Sequence, residues 1–235
     1  MTEAWNEWGS ARSTAESPYG AFYKLVRNWV VEGRVLELGC STGMNITKLS
    51  EIGEYHGIDL SPTSVDIARR NHPEHATRIV QGDFSDELPF VEGGFDAVVE
   101  RASIPHNRKE TIWHTLENVY NALKPGGIFV SYDWFSMSHS EAHRGRPVEM
   151  GLWGRTMTDY DDGQFRDIGL VHFSTYEELR ELFQRFQGLF IQERSTVRKA
   201  PGFAAEVPHF PWESIEYRFA EYRSALWDIV VRKPK

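Results

Sequence analysis

The sequence predicts an α/β fold, a doubly wound and mostly parallel sheet of about seven strands with an insertion after the fifth. Three observations carry this expectation. The chain has 235 residues, enough for one sizeable domain and too few for two independent enzymes. From Gly33 onward, strand-like and helix-like segments alternate, the pattern of βαβ units. Near the carboxyl end, two strand-like segments stand without a strong helix between them, as in an antiparallel hairpin closing an otherwise parallel sheet.

Each element has its own signal. Tyr19 to Val31 has apolar residues at helical spacing and, with the residues before it, forms an amino-terminal aromatic and helical cap over residues 1–32. Arg34 to Leu38 reads as the first strand and Gly43 to Ile52 as a helix. Glu54 to Leu60 is the second strand, Ser64 to Arg70 its helix, Ala76 to Asp83 the third strand and Phe95 to Arg101 the fourth. Thr111 to Leu123 is a helix stopped by Lys124-Pro125-Gly126-Gly127, and Ile128 to Tyr132 is a β-branched and aromatic fifth strand. Ser136 to Gly169 lacks clear periodicity and is long for a plain connection, which marks a functional loop or lid. Ser174-Thr175-Tyr176-Glu177 has capping-box spacing ahead of a helix reaching about Phe186, and Leu189 to Val197 and Leu226 to Arg232 close the sheet. The whole is Rossmann-like.

Composition narrows the function. A hydrophobic share of 40% with 26% charged residues is ordinary for a packed globular domain. No apolar run approaches the roughly 18 residues of a membrane span, and Met1 to Ser10 is polar and acidic where a signal peptide would be basic and then apolar. Cys40 is the single cysteine, which forbids an intramolecular disulfide and suits a reducing compartment. These features predict a cytoplasmic protein without a membrane partner. A net charge of −8 argues against a nucleic-acid partner, and the short basic stretches Arg198-Lys199 and Arg232 to Lys235 read as solvated surface.

In open α/β sheets ligands sit at the carboxyl ends of the strands, where strand order reverses. There the chain reads Val35-Leu36-Glu37-Leu38-Gly39-Cys40-Ser41-Thr42-Gly43. The dinucleotide pattern G-x-G-x-x-G would need glycines at Ser41 and Met44, and a P-loop would need a Gly-Lys pair that is absent. Instead, Glu37-x-Gly39-x-x-x-Gly43 resembles the first motif of class I S-adenosylmethionine-dependent methyltransferases. Asp59 ends the second strand about 20 residues past Gly39, where an acidic side chain accepts from ribose hydroxyls. Gln81-Gly82-Asp83-Phe84 looks like the family's adenine-binding element, with a carboxylate for the amine and an apolar wall for the ring. Phe95 to Val99 and Leu123 to Gly127 match the family's fourth strand and the turn before its fifth, so the resemblance covers roughly residues 33–134.

The resemblance implies S-adenosyl-L-methionine as cofactor and a methyltransferase domain over residues 33–235, with 136–172 as substrate lid. It implies Glu37, Gly39, Cys40, Ser41, Gly43, Asp59, Leu60, Asp83, Phe84 and Glu100 as the cofactor site. The chain departs from the Asp/Asn-Pro-Pro-Tyr motif of enzymes that methylate nucleobase or amide amino groups, since Glu100-Arg101-Ala102-Ser103-Ile104-Pro105-His106-Asn107 follows the fourth strand. The expected reaction is therefore methylation of oxygen or nitrogen on a small metabolite of sugar or natural-product type. The alternatives are methylation of a macromolecule and a non-catalytic cofactor-binding protein. His106 is the candidate base because imidazole titrates near neutrality, and Asp133 is its rival at the end of strand five. Trp134, His172, Trp5 and Trp8 are candidates for acceptor binding. His139 and His143 share a helical spacing but lack a third ligand, and Asp159 to Gly163 is an incomplete calcium loop. Metal-independent chemistry is expected, with a small-molecule acceptor and homo-oligomers as the partners the sequence allows.

Overall fold

The computed structural model describes residues 20–86, 88–90, 92–161, 163–199 and 221–235. Its strands are β1 (Val35–Leu38), β2 (Tyr55–Asp59), β3 (Ile79–Gln81), β4 (Phe95–Arg101), β5 (Leu123–Phe135), β6 (Arg146–Met150), β7 (Gly154–Thr158), β8 (Val171–Ser174), β9 (Gln187–Lys199) and β10 (Glu221–Arg232). Seven of them form one sheet in the order β3-β2-β1-β4-β5-β10-β9. The first five are mutually parallel, and β10 runs antiparallel to both β5 and β9. The expected doubly wound sheet is therefore present, and its order reverses between β1 and β4.

Both faces of the sheet are covered, which explains why its central strands are rich in apolar residues. On one face Val35, Ala97, Val99 and Val130 pack with Phe22 and Val26 of α1 (Gly20–Trp29), Leu49 of α2 (Ile46–Leu49), and Val65 and Ala68 of α3 (Pro62–Asn71). On the other, Leu36, Leu38, Val98 and Phe129 meet Ile112, Leu116 and Val119 of α4 (Lys109–Ala122), and Leu179 and Leu182 of α5 (Tyr176–Leu182). Phe22 and Tyr23 thus belong to a packed helix, as aromatic residues at helical spacing usually do.

Several boundaries differ from expectation for physical reasons. The helix expected over Gly43 to Ile52 is only α2, because the chain must first turn through Gly43, whose φ of 87° is left-handed. The third strand shrinks to Ile79–Gln81, since Pro73, which has no N–H to donate to a ladder, opens a 3₁₀ turn over Pro73–Arg78. Lys124 to Gly127 does not separate α4 from its strand. Instead β5 starts at Leu123, and the segment forms a bulge where the β4–β5 register shifts between Phe95 and Ala97. α5 begins one residue late, with Thr175 Oγ1 capping the Glu178 amide, and ends at Leu182.

The aperiodic segment after β5 is ordered. A 3₁₀ turn (Ser140–His143) leads into a separate antiparallel sheet, β6-β7-β8. Phe135, Ala142, Met157, Tyr160, Phe165, Val171 and Phe173 form a third apolar cluster beneath it. Its strands are only four or five residues long, too short for alternation to stand out from a loop.

Candidate active site

The loops after β1, β2, β4 and β5 converge on one cavity of about 370 Å³ at the carboxyl edge of the sheet, beside the reversal of strand order. Gly39 turns the chain out of β1 at φ 71°, and a Cβ placed there would lie 2.2 Å from Ser103 Oγ. The β1 and β4 loops cross at this point, so no side chain fits. Gly43 serves the same loop from outside the cavity, where a Cβ would press on His72 and Ile46.

Asp59 ties two segments together. Its Oδ2 accepts the Ser41 amide at 2.8 Å and its Oδ1 the Ser61 amide at 2.9 Å. Burial raises its pKa against the pull of those two amides. The hydroxyls of Ser41 and Thr42 are buried without a hydrogen-bond partner among the described residues. A buried, unpartnered hydroxyl on a cavity wall is what a polar ligand would satisfy. Across the cavity stand Asp83, whose Oδ1 takes the amide and hydroxyl of Ser85, and Phe84, half-buried against the core. An acceptor-rich carboxylate, a vacant hydroxyl, a backbone turn with no Cβ and an aromatic wall fit the amino-acid, ribose and adenine parts of S-adenosylmethionine.

Gly39, Cys40, Ser41, Asp59, Leu60, Asp83 and Phe84 all line this space. Glu37 and Glu100 do not, and sit beneath the loops instead. Glu37 accepts from Asn45 Nδ2 and the Tyr55 hydroxyl, each at 2.7 Å. Glu100 accepts from the Ser131 hydroxyl and from the amides of Ser103, at 2.8 Å, and Ile104, at 3.2 Å. Burial pushes each carboxyl up to about 7. Both shape the loops that a ligand would touch.

The residues expected to handle the acceptor are distributed differently. His106 lies on the cavity wall, and its Nδ1 donates to the Leu170 carbonyl at 3.0 Å, which leaves Nε2 as the ring's acceptor atom. The ring packs edge-on against Phe135, and burial pulls its pKa down to about 4. The expected titration near neutrality is thus replaced by an imidazole that stays uncharged. Asp133 also reaches the cavity but is held between Arg101 Nη2 at 2.9 Å and Arg194 Nη2 at 2.7 Å, with Arg194 also bound to Asp228. A β-bulge puts it there: Tyr132 and Asp133 together oppose Asp228 on β10, and Asp133 takes a φ of 66°. Each of its two oxygens is thereby engaged by a guanidinium.

Two acceptor candidates turn inward. Trp134 is fully buried, donates from Nε1 to Ser174 Oγ at 3.1 Å, and packs on Phe183. His172 is buried between Thr156 Oγ1, 2.8 Å from Nδ1, and Glu178 Oε2, 2.9 Å from Nε2. Neither touches the cavity. Trp5 and Trp8 lie outside the described residues. Sequence reasoning passed over Arg101, Asn107, Phe135, Gln164, Phe165, Ile168 and Leu226, which form much of the remaining wall. Among the described residues no group of three or more His, Cys, Asp or Glu is placed to hold a metal ion. His139 is buried in the segment that follows β5, His143 pairs with Arg155, and Asp159 pairs with Arg146.

Three comparisons bear on this geometry. Residues 35–127 match the model of the methyltransferase domain. An uncharacterized methyltransferase of Synechocystis is 34% identical over 101 residues, 43% of this chain and 46% of that protein. The bovine 18S rRNA (guanine-N(7))-methyltransferase is 32% identical over 137 residues, 54% of this chain and 48% of that protein. The matched stretches thus span about half the length of these relatives. Among solved structures, a methyltransferase from Methanosarcina mazei superposes with a TM-score of 0.66 at 16% identity, covering 89% of this chain and 97% of that one. Residues 35–127 thus carry a methyltransferase domain, and in the ordered motifs of residues 33–134 and in strand order the chain is similar to class I S-adenosylmethionine-dependent methyltransferases.

Proposed function

We propose that the protein is an enzyme that moves a methyl group from S-adenosylmethionine to an oxygen or nitrogen of a small molecule. One observation carries this reading. The cofactor-side loops and an aromatic chamber under the lid open into a single cavity of about 370 Å³, near the lower end of the range for small-ligand sites. When bound, the cofactor supplies a methyl on a positively charged sulfur, so the protein's task is to hold the acceptor in line, which is worth up to about 7–11 kcal/mol. In this proposal Asp59 accepts from the ribose hydroxyls, Asp83 and Phe84 receive the adenine, and Gly39, Cys40 and Ser41 border the amino-acid part. Residues 136–172 act as the lid that excludes water.

His106 is assigned to orient the acceptor by taking a hydrogen bond at Nε2. With a pKa near 4 it is a weak base at neutral pH, so it steers a proton more than it drives its removal. His106→Ala is accordingly expected to lower turnover about 3- to 10-fold, where loss of an essential base would cost on the order of 100-fold. Turnover should show no imidazole ionisation between pH 6 and 8. A 100-fold loss, or a pKa near 6.5 that vanishes in the variant, would return His106 to the role of base.

The similarity to an rRNA enzyme favours a second reading, a macromolecular acceptor. The net charge of −8 and the small chamber support the first. A cytoplasmic location belongs to the proposal, supported by a lone cysteine, Cys40, that is a buried thiol. No described helix is long and apolar enough to cross a membrane. The deciding experiment is an acceptor screen with methyl-labelled cofactor, using small-molecule extracts and total RNA in parallel and repeated with a chelator. Label is expected in the small-molecule fraction with and without chelator. Incorporation into RNA alone would replace the proposal with the second reading.

A further inference from the structure

Beyond the cofactor-side loops, the cavity has a second half whose chemistry is specific. Phe135 and Phe165 meet at 4.9 Å between ring centroids with their planes 73° apart, and Ile168 and Leu226 complete an apolar wall. Among the described residues, the charged groups on this side are Arg101 and Asp133. They neutralise one another within the network Arg101–Asp133–Arg194–Asp228, two cations and two anions. A charged acceptor would lose its water here and meet no unbalanced counter-charge among the described residues, which is costly. A flat apolar ring would meet aromatic edges on its faces, a favourable arrangement.

His106 and Gln164 are among the polar residues of this wall. His106 offers Nε2 as an acceptor, because its Nδ1 proton is committed to the Leu170 carbonyl. Gln164 is read from its neighbour. His139 Nδ1 accepts the Glu141 amide at 3.1 Å, and burial pulls this ring's pKa down to about 3, so it carries a single proton, on Nε2. That Nε2 lies 3.0 Å from the Gln164 side-chain amide nitrogen. Two donors cannot face each other, and a half-turn of the amide exchanges its nitrogen and oxygen without moving the chain. The amide is therefore turned so that Oε1 accepts from His139, which releases the NH₂ from that contact on a residue that lines the cavity.

We infer that the acceptor is a small uncharged planar ring that carries a hydrogen-bond donor next to an acceptor, as in a lactam or a hydroxylated heteroaromatic, read by His106 Nε2 and the Gln164 NH₂. Gln164 is then a specificity-determining residue, and His139 is the positioning residue that keeps its donor pointed at the ligand. The inference rests on the proposed methyltransferase function, because the ring occupies the space beside the cofactor.

The test measures binding by calorimetry to the full chain, first of S-adenosylhomocysteine alone and then of ring compounds to the loaded protein. The probes are 2-hydroxypyridine and 2-hydroxyquinoline, set against 2-hydroxyquinoline-4-carboxylate and tryptamine. At least one neutral ring is expected to bind tenfold or more tightly than the anion and the amine. Gln164→Leu should weaken that ring about five- to tenfold with S-adenosylhomocysteine affinity unchanged. Gln164→Glu can take the same His139 proton but has no N–H to offer, and should lose as much. Preference for the carboxylate or the amine, equal binding in both Gln164 variants, or no binding of either neutral ring to loaded protein overturns the inference. Failure of S-adenosylhomocysteine itself to bind instead overturns the methyltransferase reading on which it rests.

Discussion

Replacing Asp59 with alanine is expected to weaken S-adenosylmethionine binding by about 10- to 100-fold while the protein stays folded. Two losses add. Charge-assisted hydrogen bonds to ribose hydroxyls are worth about 1.5–3 kcal/mol, and the Ser41 amide loses the acceptor that holds the β1 loop against β2. The effect on stability is small for a reason specific to this site. Burial raises the Asp59 pKa above its unfolded value despite the two amides. A carboxyl shifted upward favours folding at pH values below its unfolded pKa, and that contribution is lost as pH rises through the folded value. At pH values above the folded pKa the ionised group is therefore a cost to the fold that its removal relieves, partly offsetting the two stranded amides. Calorimetry and thermal melting of the same samples check both halves. Unchanged affinity would remove Asp59 from the site, and a collapse in melting temperature would make it a structural residue.

His172→Ala should show the opposite profile, a loss of about 2–4 kcal/mol in stability with cofactor affinity unchanged. His172 joins β8 to β7 through Thr156 and to α5 through Glu178, while Thr156 donates to Glu149 and Lys109 pairs with Glu178. Burial raises the Glu178 carboxyl, but bonds from His172 and Ser174 and the charges of His172 and Lys109 outweigh it, and the net shift is downward. Removing the imidazole leaves this buried carboxylate with fewer partners and opens a hole between β8 and α5. For a chain of this size the expected fall in melting temperature is roughly 10 °C. His172→Ala melting like the parent while failing to bind acceptor would restore the acceptor role that its sequence position suggests.

The two variants also mark what was legible in the sequence. β1, β2, β4 and β5 were readable because burial on both faces makes Val35, Leu36 and Leu38, or Ala97 to Val99, apolar on both sides of the sheet, and Asp59 because its distance from Gly39 follows from one βαβ unit. The acceptor side was not. Asp133 and Trp134 both stand near the end of β5, and only the bulge opposite Asp228 decides that the aspartate reaches the cavity while the indole stays in the core. His172 looks reactive until its partner Glu178, on the following helix, is seen. Gln164 and Phe165 fall in a stretch with no period to read, and their importance comes from a small sheet whose strands are too short to announce themselves.

The strands that meet at the cavity share a further trait. Just beyond β1 and β4, and near the end of β5, the chain passes through Ser41, Ala102 and Asp133, side-chain-bearing residues whose φ of 49°, 49° and 66° is left-handed. Such a turn costs about 1–2 kcal/mol at a residue other than glycine. Glycine would relieve the tension at all three, but it would also let the rim wander, and a site that works by alignment loses most from wandering. The rim behaves like a set of bent springs clamped by the sheet below. The rigidity that fixes the mouth of the cavity is drawn from stability elsewhere in the domain, so a search for hardier variants will find its easiest gains at the positions where activity can least tolerate them.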